Sequence, residues 1–284
     1  MAFVMSYFRS KREALHLSIS PDGYHWRPLN RNRPILSSHL RTRTMRDPFL
    51  FRDRDGLFHL LTTDGWTSLY IIHAVSEDLV KWRDLEAIPV MAGVPGARNC
   101  WAPEAFFDAG EGLYRLIWSS TVSVDGPRDL RDHRIWTAST EDFRRYSSSS
   151  LFFDPSYSVI DATVYRMDTL YVMAFKDERG ENRPDTPYKA IRIATSSGNP
   201  AGFGNISEII TPPLTEGPIL FRCHDRWMLF YDCYMDGHWG AAVSVDLVDW
   251  VTITRGVEFP KGPRHGSVIE VEKEIVHRLE GMLK

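Results

Sequence analysis

The chain repeats itself five times, and the repeat is cut in two by the chain ends. One recurring segment is an apolar strand, a small polar turn with an acidic residue, and then an aromatic. It reads LSISPDGYHW at 17–26, AVSEDLVKW at 74–82, TASTEDFRRY at 137–146, IATSSGNPAGF at 193–203 and AVSVDLVDW at 242–250. The fourth copy is degenerate, with Ser-Gly-Asn-Pro where the others carry an acid. A second segment alternates with it, a polar or charged residue leading into strand formers: RDPFLF at 46–51, WAPEAFF at 101–107, IDATVY at 160–165, EGPILF at 216–221 and RHGSVIEV at 264–271. With Asp47, Glu104, Asp161, Glu216 and His265 as markers, the spacings are 57, 57, 55 and 49.

Between the two segments lies a strand of period 2, as in LFHLLTTD (57–64), LYRLIWSS (113–120), LYVMAFKD (170–177) and RWMLFYDC (226–233). Each repeat therefore holds about four short strands with little sign of helix. A unit of about 55 residues and four strands is a propeller blade rather than a helical or leucine-rich repeat. The chain opens on a closing segment with no opening segment before it, and ends on an opening segment with no closing one after it. The two halves complete each other. The sequence thus predicts one all-β domain over 1–284, a five-bladed β-propeller closed by pairing the C-terminal strand with strands from the first ~30 residues, which removes the free sheet edge. An open β-sandwich would not need matched half-repeats.

Composition limits the partners. With 34 basic and 37 acidic side chains the net charge is −3, so a dense basic face for nucleic acid or an anionic membrane is not expected. Nine Trp, 11 Tyr and 15 Phe exclude disorder, and no apolar run reaches the ~18 residues of a membrane span. The N-terminal apolar stretch meets Arg9, Lys11 and Arg12 too early for a signal peptide. Cys100, Cys223 and Cys233 lack metal-ligand spacing and read as reduced thiols in a cytoplasmic protein. Nothing in the sequence speaks to oligomeric state.

The innermost strand of each blade lines the central channel, and the opening segments are the candidates for it. Their leading residues, four carboxylates and an imidazole, would then converge at one mouth. Asp-Pro and Glu-Gly-Pro are also ordinary turn sequences, but four ionisable acids in register are hard to explain by packing, since like charges brought close raise one another's pKa. Such a ring suits glycoside hydrolysis or the binding of a hard cation. Trp66, Trp101, Trp118, Trp136, Trp227 and Trp239 lie in or near channel-side segments, where flat rings stack on sugars. A propeller core is itself aromatic-rich, and Trp101, which opens a blade beside Pro103 and Glu104, is the best candidate for the site.

The motifs RDP (46–48), NCWAPE (99–104), Ile-Asp-Ala-Thr-Val (160–164), KDER (176–179), TEGP (215–218) and RHG (264–266), in this order, resemble glycoside hydrolase family 43. The resemblance covers essentially the whole chain. It implies a five-bladed propeller that hydrolyses arabinosides and xylosides, with some galactosides. By it, Asp47 matches the general base, Asp161 the carboxylate that tunes and orients the acid, and Glu216 the general acid. Glu216 must then be protonated near neutral pH, with Asp161 as the neighbour that raises it. Glu104 and Trp101 match substrate-binding positions. His265 matches the blade-five histidine, which in many relatives lies near the channel axis beside a water-ligated calcium or the sugar, with Arg264 next to it. Lys176, Arg179 and Arg192 could meet a sugar hydroxyl or a catalytic carboxylate, or form a solvated face. The resemblance requires no cofactor and allows a structural Ca2+ in the channel, approached by His265 through water.

Ile-Asp-Ala stands where many relatives carry Ile-Asp-Pro, which leaves the carboxylate untouched. Some xyloside-active relatives carry an accessory sandwich domain after the propeller as part of the active site, and this sequence is not expected to have one. The expected activity is therefore an inverting, exo-acting α-L-arabinofuranosidase-like one on furanoside or pentoside glycans, with β-D-xylosidase or β-D-galactofuranosidase as alternatives. An invertase-like enzyme would show Asn-Asp-Pro-Asn and Glu-Cys where this chain has Arg-Asp-Pro-Phe and Glu-Gly-Pro. A glycoside phosphorylase would need a phosphate clamp that the scattered arginines permit without supporting. A non-catalytic binding propeller is the alternative of another class, and it would have no reason to aim carboxylates into the channel.

Overall fold

A computed structural model describes residues 2–127 and 129–283. Its strands form five antiparallel sheets. Blade one holds β4 (Arg46–Arg52), β5 (Phe58–Thr63), β6 (Ile71–Ser76) and β7 (Trp82–Ile88), and blade two β8 (Trp101–Asp108), β9 (Leu113–Thr121), β10 (His133–Thr140) and β11 (Ser150–Phe153). Blade three has three strands, β12 (Val159–Met167), β13 (Leu170–Asp177) and β14 (Ala190–Ser197). Blade four holds β15 (Glu216–Cys223), β16 (Arg226–Cys233), β17 (His238–Ser244) and β18 (Val251–Thr252). Blade five is assembled from both chain ends, in the order β19 (Arg264–Val271), β1 (Ala2–Arg9), β2 (Arg12–Ser20) and β3 (Arg27–Pro28). The five-bladed propeller expected from the split repeat is the observed fold. The first strands of the blades neighbour one another around the axis in the order β4, β8, β12, β15, β19 and back to β4.

Two repeated devices build each blade. The first is the closing turn. In four of the blades the Oγ of Ser20, Ser76, Thr140 or Ser244 accepts the amide N–H three residues on, and Oδ1 of Asp22, Asp78, Asp142 or Asp246 accepts two further amides. The repeating acid is therefore a turn residue that supplies acceptors to backbone donors. In blade three the acid is absent, and so is the fourth strand: a single bridge between Thr195 and Gly204 stands in its place.

The second device is packing between blades. Five separate apolar clusters fill the gaps. Phe3, Trp26, Phe221, Phe230 and Trp239 join blades four and five; Leu17, Leu50, Leu60 and Leu79 join five and one. Further clusters join one to two, two to three and three to four. A C-terminal helix, α1 (Lys273–Met282), which the strand pattern did not anticipate, lays Ile275, Val276 and Leu279 on the cluster between blades five and one. Among the described residues no helix is long and apolar enough to cross a membrane. Cys100 and Cys223 are buried and Cys233 is half-buried, and none is paired.

Ring closure runs from Ala2 opposite Val271 to Phe8 opposite Arg264. Ser6 and Ser267 share a hydrogen bond of 2.9 Å across this seam, and Ser267 Oγ also accepts the Leu50 amide of blade one at 2.8 Å. Gly266 has no room for a side chain: a Cβ there would lie 1.9 Å from the Ser6 carbonyl oxygen. Gly266→Ala should therefore force the seam apart and destabilise the fold by about 3 kcal/mol, the upper range for an overpacked core, as urea unfolding will measure. A loss within ~0.5 kcal/mol, as at an ordinary surface position, would contradict this account of closure.

Candidate active site

Every inner strand begins with an irregularity. The register slips between Arg46 and Phe49, Trp101 and Glu104, Ile160 and Thr163, Glu216 and Ile219, and at the blade-five seam between Tyr7 and Phe8, opposite Arg264–Gly266. At four of these bulges a residue takes positive φ: Asp47 (49°), Ala102 (46°), Asp161 (56°) and Gly217 (57°). Such backbone costs of order 1–3 kcal/mol for a residue with a Cβ and persists only where surroundings hold it. Here the neighbouring blade does so. The Ala102 amide donates to Thr63 Oγ1 (2.7 Å), the Asp161 amide to Ser119 Oγ (3.0 Å) and the Gly217 amide to Asp161 Oδ2 (3.0 Å).

This alignment corrects one reading of the sequence. The five markers are not structurally equivalent. Asp47, Ala102, Asp161, Gly217 and His265 share the bulge position, while Arg46, Trp101, Ile160, Glu216 and Arg264 share the position before it. Glu104 lies two residues beyond the bulge. The marker of blade two was matched by its acid, while the residue in register with Asp47 is Ala102.

The consequence is a layered site. A pocket of about 800 Å3 opens at one mouth of the channel, and all five residues of the pre-bulge position line it. Asp47, Asp161 and His265 line it too, all three nearly buried, with Lys176, Glu178 and Tyr234 on the side of blades three and four. Trp66 and Trp101 form one wall, their rings edge to face at 5.4 Å, and the Trp101 indole donates to the Trp66 carbonyl. Trp66 is 55% exposed. Phe8 and Glu13 of the β1–β2 hairpin form another wall, with the Arg46 guanidinium between the Phe8 and Trp66 rings and ion-paired to Glu13. Trp118, Trp227 and Trp239 are buried core residues, and Trp136 packs between blades one and two.

Glu104 does not face this pocket. It is 5% exposed and lines a smaller axial cavity of about 240 Å3 with Thr163 and Ser267. Its expected contact with substrate is thus replaced by a place in the channel. Arg179 and Arg192 are also elsewhere. Both pair with Asp177, at 2.6 and 2.9 Å, and Arg179 is held over the Tyr157 and Tyr188 rings.

Electrostatics divide the carboxylates. His265 Nδ1 lies 3.6 Å from Asp47 Oδ1 and 3.9 Å from Asp161 Oδ2. Burial opposes charge on the ring, but Asp161 and Asp47 outweigh it and lift His265 to about 9. Burial likewise works against charge on Asp47, yet His265, Arg46 and the Thr63 hydroxyl (2.7 Å) hold its carboxyl below the ordinary value. Asp161 is pushed the other way, by burial and then by the charges of Glu216 and Asp47. Glu216 is gripped by both oxygens: Lys176 Nζ lies 3.0 Å from Oε2 and Arg264 Nη2 3.1 Å from Oε1. The expected neighbourhood of Asp161 and Glu216 is present, through the Gly217 amide. Of the two cations, Lys176 takes the catalytic-carboxylate option named for it, and the contact of Arg264 with Glu216 was not expected.

Gly217 is required for this floor. At φ 57°, a Cβ there would lie 2.6 Å from the His265 ring. The donor set does not fit a directly ligated Ca2+. His265 carries a proton at neutral pH and is turned to two acids, and among the described residues no group of three His, Cys, Asp or Glu side chains could hold a metal ion. The chemistry below is derived from side chains alone.

A five-bladed propeller with opposed carboxylates at one channel mouth is the arrangement of a glycoside hydrolase. Residues 1–276 match the family model described as a probable glycosyl hydrolase domain, related to family 43, and the chain belongs to this family. It is 25% identical over 223 residues to an α-L-arabinofuranosidase of Bifidobacterium longum subsp. longum; the match covers 69% of this chain but spans only 20% of that protein's length. A thermostable family-43 glycoside hydrolase superposes with a TM-score of 0.62 at 19% identity, covering 78% of each chain. An α-L-arabinofuranosidase from Lactobacillus brevis superposes at 0.58 and 18% identity, covering 78% of this chain and 74% of that one. At such identities the structural likeness bears on the fold alone.

Burial pushes the Glu104 carboxyl up to about 8, with Asp161 adding and Thr163 and His265 subtracting. A carboxyl raised in the folded state favours folding below its ordinary pKa, and that contribution is lost as pH rises through the folded value. Between about pH 4.5 and 8 the Tm should therefore fall, and Glu104→Gln should flatten part of this slope. Superimposable Tm profiles of variant and wild type would show that Glu104 is not the buried acid described.

Proposed function

We propose that the protein is an inverting, exo-acting glycosidase of α-L-arabinofuranosidase type, acting on terminal furanoside or pentoside units of glycans. The observation that carries this reading is the opposition of Asp47 and Glu216, from the non-adjacent blades one and four, across a pocket that all five blades wall in. A pocket walled by all five blades and open at one mouth suits the end of a chain rather than its middle. The Trp66 and Trp101 rings offer flat faces to a sugar. The similarity to the Bifidobacterium arabinofuranosidase supports the choice of substrate class.

In this reading Asp47 is the base. His265 and Arg46 keep it ionised, so it can take a proton from a water aimed at the anomeric carbon. Glu216 delivers a proton to the departing oxygen on the opposite face. Asp161, bound to the Gly217 amide next to Glu216, orients the donor's backbone and places a second acid beside it. Lys176 and Arg264 fix both oxygens of Glu216.

A panel of aryl and alkyl α-L-arabinofuranosides, β-D-xylosides and β-D-galactofuranosides tests this. Hydrolysis of alkyl glycosides should fall by roughly 10²–10⁴-fold in Glu216→Gln, the value of general acid catalysis. Nitrophenyl glycosides, whose leaving groups need little protonation, should lose much less. An equal loss on both would remove Glu216 from the donor role, and inactivity on the whole panel would remove the substrate class.

A further inference from the structure

Neither cation on Glu216 belongs to it alone. Lys176 Nζ, 3.0 Å from Glu216, is also 2.6 Å from Glu178 Oε1. Arg264, whose Nη2 meets Glu216 at 3.1 Å, places its Nε 2.5 Å from Asp232 Oδ2. The side chains form a row of alternating sign: Glu178, Lys176, Glu216, Arg264, Asp232. Lys176 and Asp232 have 4% and 0% of their side-chain surface exposed, and Glu178 12%. Asp232 stands directly across the ladder from Glu216. Its second oxygen, Oδ1, is buried without a hydrogen-bond partner, so its placement is not explained by satisfied bonding.

We propose that Asp232 and Glu178 are positioning residues for the proton donor, each holding one of its two cations away from full neutralisation. This rests on the reading of Glu216 as the general acid. Two cations bound to Glu216 alone would favour its anion, whereas a donor must carry a proton when substrate arrives. An acid at the far side of each cation shares its charge and keeps its geometry. The groups facing Glu216 agree with this balance. Blade three contributes Lys176, Glu178, Asp161 and Lys189, the last 3.6 Å from Glu178, blade four Asp232 and Tyr234, and blade five Arg264 and His265. Loss of either outer acid leaves positive charge in excess.

Charge is not the only thing the outer acids supply. Lys176 and Arg264 have long, flexible side chains, and a single contact leaves their ends free to turn. Asp232 fixes the Arg264 fork through Nε, which leaves Nη2 for Glu216. Burial pushes Asp232 up to about 6 against the pull of Arg264, so Asp232 carries its charge to Arg264 above that pH.

The test is kcat/KM against pH on methyl α-L-arabinofuranoside, a substrate with a poor leaving group, for wild type, Asp232→Asn, Glu178→Gln and Glu216→Gln. The alkaline limb reports loss of the donor's proton. In Asp232→Asn and Glu178→Gln it should move to lower pH by about 1 unit, as a change in one close charge does, with a roughly tenfold loss of rate above the wild-type limb and a smaller one below it. Asp232→Glu should restore the limb. An unmoved limb in both variants, with Glu216→Gln impaired, overturns this proposal and leaves the donor reading intact. A wild-type rate in Glu216→Gln overturns both. Should Asp232→Asn fail to fold, Glu178→Gln carries the test, since Glu178 lies at the pocket wall outside the strands.

Discussion

Closure of the ring by β19 and β1 is the constraint on which the site depends. A circle of sheets has no exposed edge only if its last blade takes strands from both ends of the chain. That closure brings Arg264 and His265, some 220 residues beyond Asp47 in the chain, into the same pocket. It also carries the β1–β2 hairpin to the mouth, where Phe8 and Glu13 hold Arg46. Residues at the two ends thus set the charge around Asp47 in blade one. Tight glycine contacts at Gly266 and Gly217 serve this arrangement, one at the seam and one beneath the imidazole.

The bulges do the remaining work. Four of the five turn one residue of an inner strand to positive φ at the channel mouth, and in three of these the amide is satisfied by the adjacent blade. The hydroxyls of Thr63 and Ser119 meet that need in two blades, and the Asp161 carboxylate meets it in a third. Asp161 is in this way both a structural acceptor and a member of the charged floor. Buried acids would ordinarily resist ionisation. Here a single imidazolium lies between two of them, and the result is uneven: Asp47 is held down while Asp161 is pushed up. The asymmetry gives two neighbouring carboxyls in one small pocket opposite tendencies to ionise.

The fold was legible in the sequence because a blade is a local unit. Its period, its closing turn and the half-repeats at the two ends all lie in contiguous segments. The same turns explain the weak copy at 193–203, where the missing acid coincides with a missing outer strand. Helix α1 was not legible: its apolar residues Ile275, Val276 and Leu279 cover less than three turns and follow directly on a strand. In the site, Asp47, Asp161, His265, Lys176 and Arg264 could be named from the opening segments and the family motifs, and all of them line the pocket with Glu216 and Trp101. Glu104 was misplaced because it was matched to the other markers by residue type, whereas Ala102 holds the position in register with Asp47. Trp66 was one of six tryptophans named, and it lines the pocket with Trp101, but Glu178 and Asp232 carried too little signal. Their partners lie in other strands, and the contacts from Glu216 to Lys176 and Arg264 span 40 and 48 residues. Arg179 and Arg192 looked like site residues by proximity to Lys176, but alternate side chains on a strand face opposite ways, and Asp177 claims both.

The central claim is that Asp47 activates a water instead of attacking the sugar. That claim requires room for the water, with carboxyl groups roughly 6.5–9.5 Å apart rather than the ~5–5.5 Å of a retaining pair. Proton NMR of the first sugar released from a nitrophenyl α-L-arabinofuranoside, recorded before mutarotation, measures the outcome directly. The account predicts the β-anomer, with the configuration inverted. Appearance of the α-anomer first would mean a covalent intermediate on the enzyme, and would contradict the assignment of Asp47 as a base.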